Sequence, residues 1–185
     1  MTFRGIMYYL FQRELNLLSK PLFSYPVLRK LRRRRVKKIY HLDYIVGVGN
    51  YVKIESSHNH SRTNLKVGKG CFINDYVTID TTGKCTLGDE IILSEGAMIF
   101  THSHDYDSPE SDKTKCPGKA VIQYSSLEIG SRTWVGARAI ILPRCNKIGH
   151  DTIIAAGSVV TKDIPDNVIV AGNPAKIIKY RNEDL

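Results

Sequence analysis

Residues 100–109 read FTHSHDYDSP, which sets two imidazoles, His102 and His104, one residue apart, with Asp105 and Asp107 close behind. Histidine takes up and returns a proton near neutral pH, so this spacing suits general acid–base work on a substrate hydroxyl. Residues 58–60 read His-Asn-His. Three imidazoles around an open position would instead make a catalytic zinc site. On an ordinary surface loop the same histidines would bond only to their own backbone, so what positions them matters.

What positions them is a period of six. Aliphatic residues fall six apart at Val48 and Ile54; at Val67, Ile73 and Ile79; at Leu87, Leu93 and Ile99; at Ile129, Val135 and Ile141; and at Ile148, Ile154 and Val160. A small or acidic residue often follows, as in Val67-Gly68, Leu87-Gly88, Ile129-Gly130, Val135-Gly136 and Ile148-Gly149, and small or β-branched residues recur four places on. Six is too long for simple strand alternation and does not match the 3.6 of an amphipathic helix. It suits a chain that makes a short strand, turns, and closes a triangular coil in about 18 residues, with stacked coils pairing in parallel around an aliphatic ladder. Glycine at the second place is expected to ease the corner, where backbone dihedrals are demanding. The ladder stops after Ile99 and resumes near Leu127; the polar segment between them, 100–126, holds Pro109 and Pro117 and carries the paired histidines at its root.

Charge divides the chain. Residues 1–40 hold eleven Lys/Arg against Glu14 alone, while the remainder holds sixteen basic and seventeen acidic residues. The organisation read from this is a basic amphipathic N-terminal segment (1–42), a mainly β catalytic domain (43–172) with its loop at 100–126, and a C-terminal tail (173–185). The arm is either a helical cap with an apolar face on the body and solvated arginines, or a basic helix lying on an anionic membrane surface. No apolar stretch reaches the roughly 20 residues of a spanning helix. The positive cluster follows the apolar part and no small-residue cleavage site is evident, which argues against a signal peptide. No nucleic-acid motif accompanies the arginines. The four cysteines, Cys71, Cys85, Cys116 and Cys145, show no CxxC and read as small buried hydrophobes in a reducing cytoplasm.

With the tail IIAAGSVVTKDIPDNVIVAGNPAKIIKYR, the blocks TWVGARAIILP, AAGSVVTKDIP and AGNPAKII make residues 65–182 resemble the hexapeptide-repeat acyltransferases, nearest to the maltose and galactoside O-acetyltransferases and the sugar acetyltransferases of surface-polysaccharide assembly. The resemblance implies a left-handed parallel β-helix, acetyl-CoA as cosubstrate, no metal, a homotrimer with sites between subunits, and a sugar or glycan acceptor. It also implies site residues. His104, thirty residues after Asn74, would be the general base; Asn74, His102 and Asp107 would stand around the acceptor. Ala137 would supply the oxyanion N–H, and with Ala156 would meet the pantetheine arm. Thr161 and Lys162 would lie near the nucleotide, Lys176 and Lys179 at its phosphates, and Trp134 along the pocket or channel. The family's His-Pro is replaced by His104-Asp105.

Three other readings stay open: an N-acetyltransferase acting on an amino sugar, a zinc enzyme like the γ-class carbonic anhydrases, and a catalytically silent β-helical scaffold. The arginine-rich arm shows no acidic contact for a small free sugar. It favours a lipid-linked glycan or nucleotide sugar, with the protein in the cytoplasm or at the inner face of the membrane.

Overall fold

The computed structural model describes residues 3–18, 20–58, 61, 63–112, 114 and 120–181; Cys116, Pro117, Asn59 and His60 lie outside them. Helix α1 (Phe3–Leu18) leads through a single 3-10 turn (Pro21–Ser24) to α2 (Pro26–Ile39), which starts on a proline. Proline serves there because the first N–H of a helix has no partner to lose.

Beyond α2 the chain winds into a triangular parallel coil. One face stacks β1 (Gly47–Val48), β4 (Phe72–Ile73), β7 (Ile92–Leu93), β12 (Trp134–Val135), β15 (Ile153–Ile154) and β17 (Val168–Ala171). The second stacks β2 (Lys53–Glu55), β5 (Thr78–Asp80), β8 (Met98–Ile99), β13 (Ile140–Ile141) and β16 (Val159–Val160). The third stacks β3 (Leu65–Val67), β6 (Lys84–Leu87), β11 (Ser126–Ile129) and β14 (Lys147–Ile148). Every inward aliphatic of the six-residue period sits directly over its counterpart, as in Ile73, Leu93, Val135 and Ile154 on the first face and Ile79, Ile99, Ile141 and Val160 on the second. These side chains are buried, each worth about 1.5–3 kcal/mol relative to exposure. Cys71, Cys85 and Cys145 are buried in the same core, and burial pushes the thiols of Cys85 and Cys145 up to about 12.

The corners correct one expectation. Left-handed backbone falls at the fourth place of the hexad, at Gly70, Gly96 and Gly157 but also at Tyr76, Glu90, Arg132, Arg138 and Asp151. Glycine at the second place answers a different need: a Cβ on Gly136 would stand 2.6 Å from the Ala156 nitrogen and 2.6 Å from the Ile154 oxygen of the next coil. Close stacking, not dihedral freedom, selects it.

The N-terminal helices close the first coil. Tyr40 Oη donates to the Ile54 carbonyl at 2.6 Å and Gln12 Nε2 to the same oxygen at 2.8 Å, while Leu15, Leu18, Val36 and Ile39 join the core. Such a cap occupies the acceptors of an otherwise open sheet edge. Not all of the arginines are solvated as a plain cap would have them: Arg32 is buried, donates to the Val48 carbonyl at 2.9 Å and also bonds the Gly49 carbonyl, and Arg35 pairs with Glu14 at 2.5 Å. No described helix is long and apolar enough to cross a membrane.

The segment 100–126 is not all loop. After the second face it forms β9 (His102–Asp105) paired antiparallel with β10 (Val121–Tyr124), placing His104 opposite Ile122 and His102 opposite Tyr124. The two strands form their own sheet apart from the three faces and are at most half-buried, and the polar sequence gave no strand alternation to read. The tail turns back as well: β18 (Lys176–Tyr180) runs antiparallel to β17 and ends the first face.

Candidate active site

The hairpin leaves the coil at the corner between the second and third faces, and beside it lies a groove of about 870 Å³. His104, Asp105, Tyr106 and Asp107 line one side, Gln123 and Tyr124 the strand opposite, and Leu142, Pro143, Arg144 and Thr161 the coil wall. His104 and Thr161, far apart in sequence, therefore share one cleft. Asp107 is exposed on its wall; the carboxylate that shapes the loop is Asp105, which accepts from the N–H groups of Asp107 and Ser108 at 3.1 Å each and from Gln123 Nε2 at 2.6 Å.

Behind His104 stands a carboxylate that sequence reading missed. Asp80 Oδ2 lies 2.7 Å from His102 Nδ1 and takes the Thr101 N–H at 2.8 Å, while Oδ1 takes the Thr82 N–H at 2.9 Å. Burial works to raise the Asp80 carboxyl, but the bonds from Thr82, His102 and Thr101 outweigh it and hold the group below its ordinary value. An ionised carboxylate only accepts, so His102 Nδ1 carries the proton and the lone pair of this ring is at Nε2. Asp80 follows the inward Ile79 at the second place of its hexad, where most other hexads put an uncharged residue and Glu55 is the other acidic one.

His102 and His104 have ring centroids 5.6 Å apart, and His58 joins them, 4.9 Å from His102 and 5.5 Å from His104. Burial first, then the two neighbouring imidazoles, pull His58 below its usual value. His104 Nδ1 is buried without a hydrogen-bond partner among the described residues.

Ala137, Ala156, Trp134 and Asn74 gather elsewhere, at the corner between the first and second faces. Ala137 and Ala156 stack there on successive coils, tied by the Gly157 N–H to the Ala137 carbonyl at 2.8 Å. At some corners the N–H of the third hexad residue is taken by a side chain one coil on: Asn50 by Asp75 Oδ1 at 2.7 Å, Asp89 by Ser131 Oγ at 3.0 Å, His150 by Asp166 Oδ1 at 3.0 Å. Over Ala137 stands Ala156, which has no acceptor to offer. The Ala137 N–H has no hydrogen-bond partner among the described residues, as is also true of Asp75, Glu95 and Ser131 at the same hexad place.

Trp134 is half exposed on the first face and its Nε1 donates to Ser94 Oγ at this corner, 2.7 Å away. Asn74 is exposed at the same corner, its Nδ2 donating to the Leu93 carbonyl at 2.9 Å, in a small cleft with Arg29, Arg32 and Arg33 rather than with His104. Lys162 is exposed next to Thr161, and Lys176 and Lys179 are exposed on β18. Within one chain His104 with Thr161 and Lys162, and Ala137 with Ala156, Asn74 and Trp134, thus stand on opposite edges of the second face, with Lys176 and Lys179 at the end of the first.

The coil is a left-handed parallel β-helix of the hexapeptide-repeat kind, and in fold and sequence it is similar to acetyltransferases built on that coil. Among curated proteins the chain is 34% identical, over 115 residues, to WbbJ of Escherichia coli (strain K12), provisionally named a lipopolysaccharide biosynthesis O-acetyl transferase; the match takes in 60% of this chain and 58% of WbbJ. The chain thus spans under two thirds of the length of the curated relatives it matches. Among solved structures, a maltose O-acetyltransferase from Clostridium difficile 630 superposes with a TM-score of 0.73 at 27% identity, over 96% of this chain and 89% of that one. A galactoside acetyltransferase in complex with coenzyme A gives 0.77 at 24% identity, over 99% and 85%, and so shows the shared fold. No protein-family model matches the chain.

Proposed function

We propose that the chain is an acetyl-CoA-dependent O-acetyltransferase that acetylates a sugar hydroxyl during surface-polysaccharide assembly, with His104 as general base. The observation that carries this reading is the placement of His104 on the wall of a groove that also holds Thr161, on a coil whose relatives are named as acetyltransferases. His104 accepts the hydroxyl proton as the sugar oxygen attacks the thioester carbonyl. The Ala137 N–H receives the charge that develops on the carbonyl oxygen. Collapse breaks the C–S bond, and the leaving thiolate of coenzyme A takes the proton back from His104.

His104 and Ala137 sit on opposite edges of one face, so the reaction calls for a second copy of the chain. The outward residues support this. Phe72, Ile92 and Trp134 on the first face and Met98 on the second are exposed apolar side chains, whereas the third face presents Lys66, Thr86, Glu128 and Lys147. A ring of three chains covers the apolar faces and brings the His104 edge of one copy to the Ala137, Asn74 and Trp134 edge of the next. Lys162, Lys176 and Lys179 then serve the phosphates of coenzyme A.

The acceptor we favour is a glycan on a lipid carrier or a nucleotide sugar. Exposed Val27 and Leu31 stand among the cations of α2, with exposed Leu22 on the turn before it, a composition suited to peripheral contact with an anionic membrane from the cytoplasmic side. Candidate acceptors incubated with acetyl-CoA, with free thiol followed, test the chemistry: hydroxylated sugars should turn over, and turnover of amino sugars alone would make the enzyme an N-acetyltransferase. Cosedimentation with vesicles containing an anionic lipid, absent with neutral vesicles and weakened by salt, tests the membrane contact.

A further inference from the structure

Three imidazoles converge at the root of the hairpin. One nitrogen each from His58, His102 and His104 lies within 4.8 Å of the other two, and the rings meet edge-on, at interplanar angles of 68–75°. Three imidazole nitrogens bound to one zinc ion at 2.0–2.1 Å stand about 3.3 Å apart. Modest side-chain rotations close that gap, and His58, on the exposed side, is free to make them.

Two independent features point the same way. Asp80 bonds His102 Nδ1 at 2.7 Å, which fixes the tautomer and orientation of that ring as carboxylates do behind metal-bound histidines. His104 has a buried nitrogen with no hydrogen-bond partner among the described residues, a cost that proteins rarely leave standing without a function. All three donors are nitrogen, which suits zinc rather than magnesium or calcium, both of which prefer oxygen.

We propose that His58, His102 and His104 bind one zinc ion with its fourth position open, and that the bound ion switches off acetyl transfer. The switching half rests on His104 being the general base; the binding half does not. A neutral imidazole has a single lone pair. Zinc that holds it leaves nothing to accept a hydroxyl proton, so the ion is an inhibitor of a reaction that itself needs no metal.

The test is a titration of EDTA-treated protein with zinc against a chromophoric chelator. One zinc per chain is expected, with affinity at least 10-fold weaker in His58→Gln and about 10-fold weaker in Asp80→Asn. Failure of the wild type to take up zinc, or His58→Gln binding as tightly as wild type, overturns the site. In the acetyl-transfer assay zinc should silence the wild type, EDTA should restore it, and His58→Gln should keep the metal-free rate while losing the sensitivity. Zinc that binds without slowing transfer overturns the switching half. If metal-free protein acetylates no acceptor at all, the proposed function fails, while the zinc titration still decides the binding.

Discussion

At the scale of single residues the proposed reaction separates His104, the imidazole assigned the proton transfer, from His102, which Asp80 holds in place. His104→Ala should lower kcat/KM for acetyl transfer by about 10²–10⁴-fold with the circular dichroism spectrum unchanged; full activity in that variant would remove His104 from the chemistry. Asp80 contributes differently. Its folded carboxyl is held below the ordinary value, so its stabilisation is present above the unfolded value near 3.9 and is lost as pH falls through the lower folded value. Asp80→Asn should therefore cost about 2 kcal/mol at pH 7. The gap from wild type should narrow toward pH 3, measured by urea unfolding at both values; an equal gap at both would mean that Asp80 titrates normally. The paired histidines were legible from their position in an interrupted repeat. Asp80 was not, because its importance lies in a contact twenty-two residues away that only the stacking of β5 and β8 creates.

At the scale of the element the hexad sorts glycines into two kinds. Gly136→Ala forces a methyl into the backbone of the next coil and should destabilise by about 1–3 kcal/mol. Gly157→Ala meets nothing within 4 Å but keeps a φ of +69°, so its cost should be about 1 kcal/mol. Thermal unfolding of the two variants ranks them, and the reverse order would contradict the stacking explanation. The inward ladder could be read from the sequence because one aliphatic every six residues has few structural meanings. The cause of the glycines could not, since a close approach between coils involves residues some 20 positions apart. The hairpin strands escaped notice for a related reason: a strand that covers no core has no apolar period.

At the scale of the whole molecule, two apolar outer faces beside a charged one should produce self-association with one orientation. Sedimentation equilibrium should return three times the 20.9 kDa chain mass. A Trp134→Asp/Phe72→Asp variant should shift toward monomer and lose transfer, because the His104 and Ala137 edges then no longer meet. A monomer that keeps full activity would show that one chain holds the complete site. The basic arm was readable as helical and cationic. The burial of Arg32 under the first coil was not, since it depends on the carbonyls of Val48 and Gly49 that the winding presents.

The register continues across the hairpin as though nothing had been inserted. Leu87 on β6 sits directly over Ile129 on β11, and Ile99 on β8 over Ile141 on β13. The scaffold therefore places little demand on the length or composition of the excursion, and closing a longer one adds only fractions of a kcal/mol. On the proposed function, acceptor preference and structural integrity are separable. Exchanging residues 103–124 for the matching excursion of another coil of this kind would transplant selectivity as a cassette.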